Sequence, residues 1–118
     1  MIQQSEVKEK FPKSYQKLQE FILKDIAGTE KLKGLIPVDK MQIMTDTLLG
    51  MTFSSSRGLR ILYDFFDENN IYCMSIRSSK WSYSVQYTGL LHDDAMYEKR
   101  IQAEEAGFLF CFNLLEKM

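Results

Sequence analysis

The chain has one histidine and two cysteines in its 118 residues, and these scarcities remove much chemistry at the outset. Any histidine-based triad or histidine metal site would have to use His92. Its neighbours Asp93 and Asp94 form an imidazole–carboxylate sequence that reads equally well as a polar loop before a helix. Cys73 and Cys111 stand far apart and outside any C-x-x-C spacing, so they read as two reduced thiols of a cytoplasmic protein. Six glycines are too dispersed for a phosphate-binding loop: Gly34, Gly50 and Gly58 match neither the Walker nor the dinucleotide pattern. No run approaches the roughly 18 apolar residues of a membrane span, and the first residues lack the apolar core of a signal peptide. A net charge of −1 removes the simplest argument for nucleic-acid binding, which needs clustered Lys and Arg.

What is present describes an ordered domain. Hydrophobic content of 45% with 13% aromatics and 26% charged residues suits one globular core, and a chain this long buries roughly two-thirds of its unfolded surface. A single domain spanning 1–118 is expected. Ser5, Glu6 and Glu9 suggest a short helix from Glu6 to Lys10. Pro12 then opens a second over 12–27, with Tyr15, Leu18, Ile22 and Ile26 on one face. Gly28 to Ile36 reads as a loop. From Pro37, the spacing of Val38, Met41, Met44, Thr45 and Leu48 predicts a helix over 37–49 that closes at Gly50, with Met51-Thr52-Phe53 as a possible short strand.

Ser54-Ser55-Ser56 offers caps for a helix over 57–69. Its polar stripe is Arg60, Asp64, Asp67 and Glu68, and its apolar stripe is Leu59, Leu62, Tyr63 and Phe66. Reading 59–66 as a strand instead would place Leu62 and Phe66 on the face of Arg60 and Asp64. Asn69 or Asn70 supplies a left-handed stop. Two alternating strands follow, over 71–77 and 80–88. Tyr72, Met74 and Ile76 carry the bulk of the first, and Trp81, Tyr83, Val85 and Tyr87 that of the second. The pattern selects an even connecting loop, which pairs Ile76 with Trp81, Met74 with Tyr83 and Tyr72 with Val85 and turns all this bulk toward one core. A three-residue loop would set Ile76 against Ser82. A last helix is expected over 94–117, capped from His92-Asp93-Asp94. Its second half, Phe108 to Leu115, is apolar almost all round, which implies enclosure or a subunit contact.

The acidic groups Asp64, Asp67 and Glu68 fall on a wet helical stripe and read as surface charge. The stretch from Leu62 to Tyr72, the aromatic second strand and the helix from Tyr97 to Leu115 together resemble short, uncharacterised proteins carried by prophages and mobile elements of gut bacteria. That resemblance covers about residues 57–118 and implies an accessory protein acting by contact.

These readings converge on a small α+β domain of two layers, with helices on one face of an antiparallel sheet. The functional expectation is a non-enzymatic interaction protein without a cofactor, metal or small-molecule substrate, partnered by another protein or by itself. Leu109, Phe110 and Leu114 are the candidate contacts on the last helix. The alternative is a nucleic-acid-associated factor using Arg57, Arg60, Arg77 and Lys80. Because the alternation turns the aromatics inward, function is expected on the serine-rich outer face of the hairpin or at the open strand edges.

Overall fold

The computed structural model describes residues 2–28, 38–55, 58–87, 89–92 and 95–118. The expected loop from Gly28 to Ile36, Pro37, Ser56, Arg57, Thr88, Asp93 and Asp94 lie outside the described residues, apart from the Gly28 backbone that closes the second helix. Among those described, helices α1 (Gln4–Lys10), α2 (Pro12–Gly28), α3 (Val38–Ser54) and α4 (Leu59–Glu68) precede strands β1 (Tyr72–Arg77), β2 (Trp81–Gln86) and β3 (Leu90–His92), and helix α5 (Arg100–Lys117) closes the chain. The sheet is antiparallel in the order β1-β2-β3, with the helices on one face. This is the α+β domain expected from the residue pattern.

Apolar periodicity explains most of the helices. Tyr15, Leu18 and Ile22 of α2 are buried, and Leu59, Leu62, Phe65 and Phe66 of α4 form its hidden stripe. Residues 59–66 are therefore helical. The stop after α4 is built from its asparagines. Asn70 takes a left-handed φ of 61°, its N–H donates to the Asp67 carbonyl, and the Ile71 N–H reaches back to Phe66. Ile71 and Phe66 are both fully buried, so the same turn that ends the helix brings the chain into the sheet.

Several boundaries differ from expectation: α4 runs from Leu59 with Gly58 and not a serine at its N-cap, β2 ends at Gln86, and three further differences have local reasons. α1 begins at Gln4, with Ser5 inside it rather than capping it. α3 continues through Gly50 and takes in Met51-Thr52-Phe53, because Thr52 and Phe53 extend its buried stripe beyond Leu49. Gly50 faces open space, so its missing side chain weakens that helix without ending it. α5 starts at Arg100, not 94. The intervening chain pairs with the outer edge of β2: Leu90–His92 form β3, and Tyr97 exchanges backbone hydrogen bonds with Trp81 at 2.8 and 2.7 Å. Satisfying that edge wins over an earlier helix. The Lys99 N–H is then capped by Gln102 Oε1 at 3.1 Å.

The largest correction concerns the hairpin. Ile76 stands opposite Ser82, Met74 opposite Ser84 and Tyr72 opposite Gln86, which is the three-residue loop that alternation argued against. β1 turns its small residues, Cys73 and Ser75, toward α5 and leaves Tyr72, Met74 and Ile76 outside. β2 behaves as expected, with Tyr83 and Val85 buried. The physical reason lies in α5. Gly107 brings the helix so close to the sheet that a Cβ there would sit 2.7 Å from Cys73 Sγ and 3.2 Å from Tyr83 Cβ. Bulk on the inner face of β1 has no room.

The apolar half of α5 is enclosed from two sides. Gly107, Cys111 and Phe110 meet the sheet, with Phe110 5.9 Å from Tyr83 between ring centres. Phe108 and Phe112 meet the helical layer, through Tyr63, Phe66, Phe65 and Phe53.

Candidate functional site on the edge strand

Leu109, Phe110 and Leu114, the contacts expected on α5, are half-buried and packed against the core. The more open apolar surface is on the sheet. Tyr72, Met74 and Ile76 are 43%, 44% and 46% exposed. They occupy alternate positions of one strand and so form a continuous column on one face, each step spanning two residues of about 3.3 Å rise. By register their neighbours on β2 are Gln86, Ser84 and Ser82, and the position across from Ser84 on β3 is that of His92.

Two further features converge on this face. β1 pairs only with β2, and no other backbone hydrogen bond reaches it among the described residues, so its outer edge is open. It carries no lysine, proline or bulge, the devices by which edge strands ordinarily discourage pairing; Arg77 at its end is its one charge. Beside Met74, Ser84 Oγ is buried with no hydrogen-bond partner, and it is the single such side-chain atom among the described residues.

The basic candidates divide. Arg60 is exposed on α4. Arg77 and Lys80 share the hairpin tip, where they are joined by Arg100, which the sequence reading missed because it lies on another element. The guanidinium carbons of Arg77 and Arg100 lie 5.5 and 5.7 Å from the centre of the Trp81 ring. Acids neutralise part of this cluster: Lys80 pairs with Glu98 at 3.0 Å and Arg100 with Glu104 at 2.9 Å. Glu104 also accepts a hydrogen bond from Tyr63, whose phenol is pushed well up by burial and then by the Glu104 charge.

The acidic stripe of α4 is solvated, as its spacing suggested. Asp64, Asp67 and Glu68 are exposed, and Glu68 pairs with Lys24 at 3.3 Å. Burial, and then the neighbouring Asp64, push the Asp67 carboxyl upward. Between α2 and α4 lies a groove of about 210 Å³, floored by Phe21 and Phe65 and rimmed by that Lys24–Glu68 pair. Its charges are mixed, so it favours no ligand of one sign. Among the described residues no three metal-ligating side chains gather, and no helix is long and apolar enough to cross a membrane. No protein-family model, no curated protein and no solved structure matches this chain.

Proposed function

We propose that this chain is a non-enzymatic interaction protein whose contact surface is the outer face and free edge of β1, and that its first partner is a second copy of itself. The observation that carries the reading is the exposed column of Tyr72, Met74 and Ile76 on an unprotected edge strand. The column is symmetric about Met74. An antiparallel, twofold pairing centred there sets Met74 against Met74 and Tyr72 against Ile76 of the other copy, extending the sheet across both chains. Main-chain hydrogen bonds supply the pairing and the apolar column supplies its register. Three half-exposed side chains are well short of the roughly 800 Å² per partner of a standard interface, so the association is weak and concentration-dependent. The accessory role implied by the resemblance of residues 57–118 to mobile-element proteins agrees with a contact function.

Light scattering across a concentration series tests this. The mass should rise from 13.8 kDa toward twice that value. Met74→Lys, which sets two cations face to face on the twofold axis, should hold the protein monomeric with its circular dichroism unchanged. A wild-type chain that stays monomeric to millimolar concentration ends the proposal.

A second reading, contact with single-stranded nucleic acid, is favoured by the meeting of Arg77, Arg100 and Trp81 at the hairpin tip. It requires salt-dependent retention of short DNA or RNA that Arg77→Glu weakens. Absence of retention at low salt excludes it.

A further inference from the structure

The two cysteines, far apart in sequence, meet across the contact between β1 and α5. Cys73 is on the covered face of the strand and 9% exposed, while Cys111 on the helix is completely buried. Their thiols interact across that contact. Gly107 makes this approach feasible, since it precedes Cys111 by one helical turn on the same face and Cys73 Sγ occupies the space its side chain would fill. Backbone hydrogen bonds of helix and strand hold both residues in place.

From this juxtaposition we propose that Cys73 and Cys111 form a redox-modification site, closing a reversible intramolecular disulfide that staples α5 to β1. A disulfide needs the sulfurs about 2.05 Å apart, and with Cys73 Sγ seated against α5 at Gly107, one turn before Cys111, that separation is reached by side-chain rotation and a small shift of strand on helix. The oxidant is of the peroxide class. Cys73, the one with exposure, reacts first: its thiolate sulfur attacks a peroxide oxygen, the O–O bond breaks, and the departing hydroxide takes up a proton to leave water and a sulfenic acid on Cys73. The Cys111 sulfur then attacks the Cys73 sulfur and the S–O bond breaks. The released hydroxide takes the Cys111 proton, giving a second water. Two thiols thus supply the two electrons that reduce one peroxide. Interaction with the Cys73 thiol, and then burial, push the Cys111 thiol far above the ordinary range, so Cys111 stays protonated and is not the sulfur that meets the oxidant.

The site is independent of the docking surface, because both sulfurs lie on the opposite face of β1. Its test uses the purified full chain. After hydrogen peroxide treatment and quenching by alkylation under denaturing conditions, mass spectrometry should find a monomer lacking two hydrogens, with the peptides of Cys73 and Cys111 linked. Dithiothreitol should restore two alkylatable thiols. In Cys111→Ala the reaction should stop at a dimedone-reactive sulfenic acid on Cys73, and in Cys73→Ser no product should form. In a glutathione redox buffer the folded chain should favour the disulfide at least about tenfold more than the same chain in urea. Two free thiols after peroxide, a linkage only between chains, or an equal preference in the folded and urea-unfolded chain each overturn the proposal.

Discussion

Glu116 ties the last turn of the chain to the first turn of α2. Pro12 opens that helix without an N–H to satisfy, and the next two amides are the ones the Glu116 carboxylate accepts, from Lys13 at 3.2 Å and from Ser14 at 2.9 Å. The Ser14 hydroxyl lies 3.1 Å from both Glu116 Oε2 and the Phe112 carbonyl oxygen. A side chain from another helix thus does the work usually left to a local cap. Burial alone would raise this carboxyl, but the donors from Ser14 and Lys13 together outweigh it and hold it below the ordinary glutamate value of 4.5. A depressed folded value means the contribution to stability is full above pH 4.5 and is lost as pH falls through the lower, folded value. Glu116→Ala is expected to cost about 1 kcal/mol at neutral pH, the usual worth of a helix cap. Denaturant titrations of both proteins should converge as pH drops below that range. None of this was legible in the sequence, where Glu116 is one acid near the end and its partner is 102 residues away.

The elements were more legible than the faces they present. Helical period placed α2 and α4, and the Asn-Asn stop placed the turn into β1, because each of these is decided within a few residues. The orientation of β1 is not decided locally. Alternation shows that Tyr72, Met74 and Ile76 share a face, yet it is silent on whether that face is covered. Covering depends on α5, which follows much later and whose Gly107 admits only small neighbours. The same dependence hid the Cys73–Cys111 contact and the meeting of Arg100 with Trp81. Two glycine substitutions test this account with opposite signs. Alanine gains up to about 1 kcal/mol over glycine within a helix. At Gly50, where nothing lies within 4 Å, Gly50→Ala should realise that gain. At Gly107, contacts of 2.7 Å with Cys73 Sγ and 3.2 Å with Tyr83 Cβ impose an overpacking cost of about 1–3 kcal/mol. Gly107→Ala should therefore be net destabilising. Urea midpoints moving up for the first and down for the second would bear this out, and a rise for both would show that β1 is not held against α5.

At the scale of the whole molecule, α5 is the element that makes two layers into one domain. The apolar stretch from Phe108 to Leu115 is explained by its place between the sheet and the other helices, which cover it on two sides and leave Asn113 exposed. Phe112 is its centre on the helical side. Its ring lies 5.0 Å from Phe66, 6.0 Å from Phe11, 6.4 Å from Phe53 and 6.5 Å from Phe65, reaching α3, α4 and the junction before α2 together. Truncating a buried phenylalanine to alanine costs about 3–5 kcal/mol, a large part of the roughly 5–15 kcal/mol that holds a domain of this size. Phe112→Ala should accordingly lower the unfolding midpoint steeply. Trp81 gives a probe on the sheet, away from that cluster, while far-ultraviolet circular dichroism reports mainly on the helices. If α5 couples the layers, fluorescence and dichroism should shift together and keep one midpoint in the variant as in the parent. A variant whose helical signal melts while Trp81 keeps its native emission would show that the sheet and α5 form a unit stable without the helical layer.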